Sequence, residues 1–231
     1  MRQLGGLLVS LNELLERPRL QVALDLTSLS EALKIAEIAW RNGAEILEAG
    51  TPLIKSVGLR AVKALREKFP DAIIVADMKT MDTGYLEAKL AYEAGADIVT
   101  VLAVADNATI SEALTCGREY NLLVAVDLIS HPDPLKRASE IEKMGVDILI
   151  AHLGIDVQRK LGITVADIGT VVCKVKEVFS RVLAVAGGIR PGKVKQLVKA
   201  GANIIIVGSA ITKSKEPHNV VKKIIQELKV Y

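Results

Sequence analysis

An internal repeat limits the folds that this chain can adopt. Four segments share a glycine, then an alanine or valine, then an acidic or amide residue, then isoleucine. They are residues 41–46, 93–98, 143–148 and 199–204. A glycine that can take the left-handed conformation ends a helix, and the β-branched residue that follows favours a buried strand. The repeat therefore predicts four copies of one helix–strand unit.

Four other apolar runs alternate with these units, at residues 20–25, 72–77, 122–127 and 182–187. Together they give eight strands spaced by about 25 residues, with amphipathic segments between them. One such segment is 31–40, for which Ser28 or Ser30 offers an N-terminal cap. This order predicts parallel β/α units and a (β/α)₈ TIM barrel. An open doubly wound sheet is the alternative, but it usually carries a glycine-rich loop after its first strand.

The N-terminal segment has leucines at helical spacing. They are Leu4, Leu7, Leu8, Leu11, Leu14 and Leu15. We expect an amphipathic helix that packs on the barrel and ends before Pro18. The apolar run is too short to cross a bilayer, and acidic residues follow it. The predicted organisation is an N-terminal helical extension over residues 1–18 and a single barrel domain over residues 19–231.

The composition predicts a cytoplasmic protein that binds neither nucleic acid nor membrane. Half of the residues are hydrophobic, and 30 cationic side chains nearly balance 27 anionic ones. No clustered basic face is apparent. Cys116 and Cys173 lie far apart, outside any metal-binding or disulfide pattern. We expect both to be buried as small apolar side chains in a reducing compartment.

Ionisable residues stand where most of the predicted strands end, whereas the fourth strand, near residues 100–102, contributes none. They are Asp25, Glu48, Asp77, Asp127 and His152. A barrel places its chemistry at the carboxyl ends of its strands, so these side chains should share one mouth. Four carboxylates there need compensating charge, which favours a divalent cation such as Mg²⁺. Asp25 and Asp127 could instead cap the helices that follow them.

The spacing Asp77-x-Lys79-x-x-Asp82 has a chemical logic of its own. Strand alternation should turn Asp77 and Lys79 to the same side. Asp77 would keep Lys79 charged, and Lys79 could then stabilise an oxyanion or deliver a proton. The alternative is a surface ion pair. His152, at the end of the sixth strand, is the candidate for acid–base work.

Glycines follow the seventh and eighth strands. Gly187 and Gly188 precede Arg190, and Gly208 precedes Ser209. Bare backbone N–H groups near a helix start suit a phosphate, and the loops after strands seven and eight form such sites in barrels of this kind. Arg190 could add a charge or lie on the surface.

Four segments resemble the 3-hexulose-6-phosphate synthases, which belong to the orotidine monophosphate decarboxylase suprafamily, and this resemblance implies a TIM barrel of the ribulose-phosphate-binding type. The segments are residues 48–53, 77–82, 96–101 and 152–158, within a resemblance that covers about residues 20–217. It implies a reversible, Mg²⁺-dependent aldol reaction of formaldehyde with D-ribulose 5-phosphate that gives D-arabino-hex-3-ulose 6-phosphate, with Mn²⁺ as an alternative metal. It also implies a homodimer in which Asp82 reaches the partner subunit's site.

The resemblance further implies roles for the other residues. Glu48 and Asp77 would hold the metal. His152 would remove a C1 proton, and Lys79 would hold the resulting enediolate. Asp25, Asp127 and the glycine loops with Arg190 and Ser209 would contact the substrate.

Three other functions remain open. Orotidine 5'-monophosphate decarboxylases carry a lysine where this chain has Glu48. 3-Keto-L-gulonate 6-phosphate decarboxylases keep the glutamate but carry an arginine after the histidine of strand six, where this chain has Leu153, Gly154 and Ile155. Leu153 also departs from the threonine usual in the synthases. A non-catalytic phosphosugar-binding barrel is the third possibility, and it would predict a damaged acidic ring.

Overall fold

A computed structural model describes residues 10–154 and 165–229, and these form a closed barrel of eight parallel strands. Each strand pairs with the next along the chain, and the first also pairs with the eighth. The strands are β1 (Arg19–Leu24), β2 (Ile46–Ala49), β3 (Ile73–Thr80), β4 (Ile98–Leu102), β5 (Leu123–Asp127), β6 (Ile148–His152), β7 (Val182–Ala186) and β8 (Ile204–Val207). The predicted (β/α)₈ barrel is confirmed, and the open sheet is excluded.

The helices alternate with the strands around the outside of the barrel. They are α1 (Leu11–Glu16), α2 (Leu29–Arg41), α3 (Thr51–Val57), α4 (Arg60–Lys68), α5 (Gly84–Glu93), α6 (Asn107–Tyr120), α7 (Pro134–Met144), α8 (Val165–Val178), α9 (Val194–Lys199), α10 (Ser209–Thr212) and α11 (Pro217–Leu228). Of the two serines considered as the cap of α2, Ser28 accepts the hydrogen bond from the Glu31 N–H.

The strands are buried on both faces, because alternate side chains meet either the helices or the barrel interior. Val22, Leu47 and Val99 belong to the outer core beneath the helices. Ala23, Ile46 and Val75 belong to the separate inner core that fills the barrel. The packed interior leaves the carboxyl ends of the strands as the place for a cavity.

The polar residue of the repeat ties neighbouring strands together at the opposite end of the barrel. Asp97, Asp147 and Asn203 each accept a backbone N–H from the preceding odd-numbered strand, at 2.8, 2.9 and 3.0 Å. Glu45 departs from this pattern, since its carboxylate binds the guanidinium groups of Arg17 and Arg19. The repeat is therefore a structural device, and its polar residue accepts a backbone N–H in three of the four copies.

Helix α1 lies against the amino end of the barrel, where Leu14 is fully buried in the inner core. The predicted helical residues Leu4, Leu7 and Leu8 lie outside the described residues. The division into an extension over residues 1–18 and one barrel domain over residues 19–231 stays a prediction.

The two cysteines differ in burial. Cys116 is buried as expected, but the expectation was wrong for Cys173, which is exposed on α8. This helix turns its Val172 and Val175 inwards, so Cys173 lies on the outer side.

Within residues 10–154 and 165–229, no helix has the length and apolar character of a membrane span.

Candidate functional site

A cavity of about 350 Å³ opens at the carboxyl ends of the strands. It brings together most of the residues predicted from the strand ends. The predicted residues that line it are Asp25, Glu48, Asp77, Lys79, Asp127, His152, Gly187, Gly188, Gly208 and Ser209. Ala23, Ile150 and Ile206 form an apolar floor beneath this polar ring.

Asp77 is a buried carboxylate held by four hydrogen bonds. Its Oδ2 accepts the Thr51 N–H at 3.2 Å and the Thr51 hydroxyl at 2.6 Å. Its Oδ1 accepts the Thr100 hydroxyl at 2.8 Å and the Lys79 ammonium at 3.0 Å. A carboxylate offers about four acceptor positions. The orientation of Asp77 is therefore fixed by three different elements.

Lys79 bridges two carboxylates across the mouth. Its Nζ lies 3.0 Å from Asp77 Oδ1 and 3.0 Å from Asp127 Oδ2. Burial disfavours the charged ammonium, but the carboxylates of Asp127 and Asp77 outweigh that penalty, and the pKa of Lys79 is raised. A raised pKa means that Lys79 remains a cation at every physiological pH.

The backbone of Lys79 is left-handed, with φ of +48°. The pairing of β3 with β4 also shifts between Ala76 and Thr80. The simple strand alternation on which we based the meeting of Asp77 and Lys79 is therefore interrupted. The two side chains nevertheless meet, with Lys79 Nζ 3.0 Å from Asp77 Oδ1.

Asp127 and His152 form a pair on β5 and β6. Asp127 Oδ2 lies 2.9 Å from His152 Nδ1, and Oδ1 accepts the Ile129 N–H at 2.9 Å. Burial would raise the pKa of Asp127, but the hydrogen bond and charge of His152, together with Lys79, lower it. Because Nδ1 is engaged by Asp127, the ring nitrogen suited to serve a substrate is Nε2. Asp127 thus contacts both Lys79 and His152.

In Glu48 and Asp25, the ionised form of the carboxyl group is disfavoured by its surroundings. Gln21 Nε2 donates to Glu48 Oε2 at 2.5 Å, and both side chains are buried. Burial, with the nearby Asp77 and Asp25 carboxylates, raises the pKa of Glu48 well above its usual range. Asp25 is reached by solvent through the mouth, yet enclosure by the barrel and the charge of Asp77 raise its pKa as well.

Two glycines make room for Asp25. A Cβ on Gly50 would lie 2.3 Å from Asp25 Oδ1, and one on Gly208 would lie 3.0 Å from Oδ2. Any side chain at Gly50 would therefore displace the carboxylate. The sequence alone gave no reason to single out Gly50.

The donor chemistry fits a hard divalent cation. No group of three or more histidine, cysteine or acidic residues in metal-binding geometry occurs within the described ranges. Glu48 and Asp77 do supply carboxylate oxygens from the ends of paired strands, and the raised pKa of Glu48 marks a crowding of negative charge. Mg²⁺ usually takes only one or two carboxylates and completes its shell with substrate and water.

The glycine loops line the cavity at the ends of β7 and β8. Gly187 and Gly188 have φ of +115° and +64°, conformations that favour glycine, and Ser209 begins α10. Arg190 is exposed and is not among the described residues that line the cavity. Its contribution to a phosphate site stays a prediction.

Asp82 lies on the rim rather than in the cavity. It is exposed, and its Oδ1 accepts the Thr83 N–H at 2.7 Å. Of the segment 152–158 that carries part of the resemblance, His152, Leu153 and Gly154 are described, whereas residues 155–158 lie outside the described residues.

Three residues that bind the ring were missed from the sequence: Gln21, Thr51 and Thr100. As expected, β4 contributes no ionisable residue, but its Thr100 is 1% exposed and holds Asp77 through a hydrogen bond. The signal was available as a single hydroxyl in an otherwise apolar strand. Gln21 was a similar polar residue inside β1.

Comparisons with known proteins give a consistent result. Residues 18–224 match the model of the "Orotidine 5'-phosphate decarboxylase / HUMPS family". A 3-hexulose-6-phosphate synthase of Mycobacterium gastri is 40% identical over 207 residues, which are 89% of this chain and 97% of the relative. A crystal structure of a 3-hexulose-6-phosphate synthase superposes with a TM-score of 0.86 at 38% identity, over 91% of this chain and 99% of that one.

Some relatives are longer. The bifunctional enzyme Fae/Hps of Archaeoglobus fulgidus is 38% identical over 221 residues, which are 95% of this chain but 55% of the relative. The chain therefore spans about half the length of the bifunctional relatives that it matches.

Proposed function

The chain belongs to the orotidine 5'-phosphate decarboxylase / HUMPS family, and on that premise we propose that it condenses formaldehyde with D-ribulose 5-phosphate, reversibly, to give D-arabino-hex-3-ulose 6-phosphate. The 3-hexulose-6-phosphate synthases that are 40% and 38% identical to this chain support its assignment as a lyase of that type. The metal, the mechanism and the residue roles below are our proposal.

The observation that carries the proposal is the ring of charges around Lys79. A half-buried ammonium between Asp77 and Asp127 faces a cavity that Glu48 also lines. Such a site stabilises an anion that develops between a fixed cation and a bound metal. The enediolate of a phosphorylated ketose is an anion of this kind.

Glu48 and Asp77 would hold the divalent cation, Mg²⁺ or in its place Mn²⁺. When bound, the cation polarises the ketone and the neighbouring hydroxyl of the sugar. All four acceptor positions of Asp77 have donors. Lys79 is the donor best able to yield its place, because it keeps Asp127 as a second partner.

His152 is the proposed base for the C1 proton of ribulose 5-phosphate. Asp127 holds its Nδ1, so Nε2 takes the proton and the imidazolium is stabilised by the same carboxylate. Lys79 then holds the enediolate oxygen, and C1 attacks the formaldehyde carbon. The proton on His152 returns to the new alkoxide or to solvent.

The two ends of the sugar have different surroundings. The glycine loops at Gly187, Gly188 and Gly208 with Ser209 suit the phosphate, since they offer backbone N–H groups to one side of the cavity. We propose that Arg190 approaches when phosphate is bound. Asp25, near Glu48, would bind hydroxyls of the sugar.

We further propose a homodimer in which Asp82 enters the partner's site. Asp82 is exposed on the rim, and exposed apolar side chains surround this part of the chain. Met81 and Leu86 are 54% and 56% exposed, and Leu90 is 42% exposed one turn further along α5. Large apolar side chains grouped on one face are typical of an interface between subunits.

Decarboxylation of 3-keto-L-gulonate 6-phosphate is the alternative, because it needs the same enediolate. Leu153 favours the aldolase, since an arginine at this segment is what the decarboxylase would want. The two activities are separated by assaying formaldehyde loss with ribulose 5-phosphate and carbon dioxide release from the keto acid phosphate, both with saturating Mg²⁺. Carbon dioxide release without formaldehyde loss would establish the decarboxylase. If the protein shows neither activity, both functions are rejected.

A further inference from the structure

Thr100 occupies an unusual place in the sheet. Ala76 pairs with Val99, and Thr80 pairs with Val101, so the three residues between them on β3 face Thr100 alone on β4. This local mismatch is a bulge, which re-aims side chains at the expense of regular pairing. Lys79 lies within it, in the left-handed conformation.

The hydroxyl of Thr100 uses both of its hydrogen-bonding capacities on this bulge. It accepts the backbone N–H of Lys79 at 2.9 Å and donates to Asp77 Oδ1 at 2.8 Å. The same Asp77 oxygen accepts the ammonium of Lys79 at 3.0 Å. Thr100, Asp77 and Lys79 thus close a small hydrogen-bonded ring in which one hydroxyl fixes both the backbone and the side chain of Lys79.

We infer that Thr100 is a positioning residue for Lys79, one that controls formation of the enediolate rather than binding of the sugar phosphate. The inference rests on the proposed function, since it assigns Thr100 a part in that reaction. A left-handed non-glycine residue persists only where its surroundings hold it, and the Thr100 hydroxyl holds the Lys79 N–H. Without it the bulge relaxes and the ammonium leaves Asp127, whereas the glycine loops that suit phosphate are untouched.

Threonine allows a clean test, because valine has its shape without the hydroxyl and serine keeps the hydroxyl. Enediolate formation is followed by NMR as exchange of the C1 proton of ribulose 5-phosphate for deuterium, with Mg²⁺ and without formaldehyde. Misplacing a catalytic group by about 1 Å can cost about 100-fold in rate. We therefore expect Thr100→Val to slow exchange by about 100-fold with KM changed less than about threefold, and Thr100→Ser to stay within about threefold of the parent protein.

Controls separate a positioning role from damage to the fold. Thr109→Val changes another buried threonine, on α6, and should leave exchange unchanged. If valine at position 100 prevents folding, Thr100→Ala is measured beside Thr100→Ser, with the same expectation. Normal exchange in Thr100→Val, equal slowing in Thr100→Ser, or a change confined to KM would overturn the inference.

The geometry can be checked separately from the activity. A crystal structure of Thr100→Val should show Lys79 out of the left-handed region and its Nζ away from Asp127, and an unchanged Lys79 would overturn the inference. Exchange by the unmodified protein is measured first. If the unmodified protein does not exchange the C1 proton, the proposed function fails, while the structure of the variant still decides the role of Thr100.

Discussion

The ammonium of Lys79 lies 3.0 Å from the carboxylate of Asp127, and this contact joins the ends of β3 and β5 across the mouth of the barrel. Asp127 also binds His152, so the cation proposed to stabilise the enediolate and the proposed base share one buried carboxylate. A substitution of Lys79, Asp127 or His152 should therefore also change the position or the charge state of the other two side chains.

Replacing Lys79 should abolish enediolate formation. Lys79→Met keeps much of the apolar stem but leaves Asp77 and Asp127 without their cation. We expect C1 exchange and formaldehyde consumption to fall by at least about 1,000-fold, as for loss of a main electrostatic group. Lys63→Met, on the exposed face of α4, is the control and should keep full activity. A Lys79→Met protein with a tenth of normal turnover would contradict this role.

Mixing two inactive variants tests the shared site. In a dimer of Asp82→Asn with Lys79→Met, one of the two sites combines an intact Lys79 with an intact Asp82 from the other subunit. Random exchange of subunits should therefore restore about one quarter of normal activity. Lys79→Met mixed with Glu48→Gln restores nothing, because each site then lacks a residue of its own. Equal behaviour of the two mixtures would show that Asp82 does not cross between subunits.

We expect Glu48 to bind the metal and, in the metal-free protein, to lower the thermal stability of the fold. Its raised pKa reflects burial beside Asp77 and Asp25, so Glu48→Gln removes an unfavourable charge. Without metal we expect Tm to rise by about 2–4 °C, the shift that about 1 kcal/mol produces in a protein of this size. Calorimetric titration with Mn²⁺ should at the same time lose its binding signal, and Mg²⁺ should no longer raise Tm. Asp106→Asn, at the exposed start of α6, serves as the control. Unchanged Mn²⁺ affinity would contradict the assignment.

Two positions of the repeat should respond oppositely to the same substitution. Asp147→Asn copies the natural Asn203 and keeps an acceptor for the Val124 N–H. Burial raises the pKa of Asp147, so its ionised form is disfavoured in the folded protein at pH 7. We expect asparagine there to increase the free energy of unfolding by less than about 1 kcal/mol.

At Asp97 the same change should destabilise by about 3 kcal/mol, because the buried Arg66 loses its carboxylate partner. Urea unfolding at pH 7 measures both variants. The gain at Asp147 should disappear below about pH 3.9, where the carboxyl is protonated in both states and its penalty is absent. A gain that persists at pH 3, or a loss at pH 7, would contradict the origin that we give it.

Much of the fold was predictable because each copy of the repeat contains the residues that end a helix and begin a buried strand. Glycines 43, 95, 145 and 201 all have positive φ where the helices end, and isoleucines follow them into buried strands. The strand ends also located most of the candidate site. The sequence could not reveal the bulge at Lys79, since neighbouring residues do not encode a shift of register between strands.

The contacts inside the ring were equally out of reach from the sequence. Gln21 binds Glu48 across 27 positions, and Thr100 binds Asp77 across 23, so only the closed barrel brings them together. Arg190 and Asp82 follow β7 and β3 and are both exposed, and the roles that we assign to them stay predictions. The cytoplasmic location and the lack of nucleic-acid binding also stay predictions.

The most direct test of the central claim is the fate of labelled formaldehyde. The protein is incubated with ribulose 5-phosphate, ¹³C-formaldehyde and Mg²⁺, and the products are followed by ¹³C NMR. The account predicts that the label appears as the C1 hydroxymethyl carbon of a hexulose phosphate, and that chelation of the metal or Lys79→Met abolishes it. Formaldehyde left unchanged beside the metal-loaded, folded protein would contradict the account.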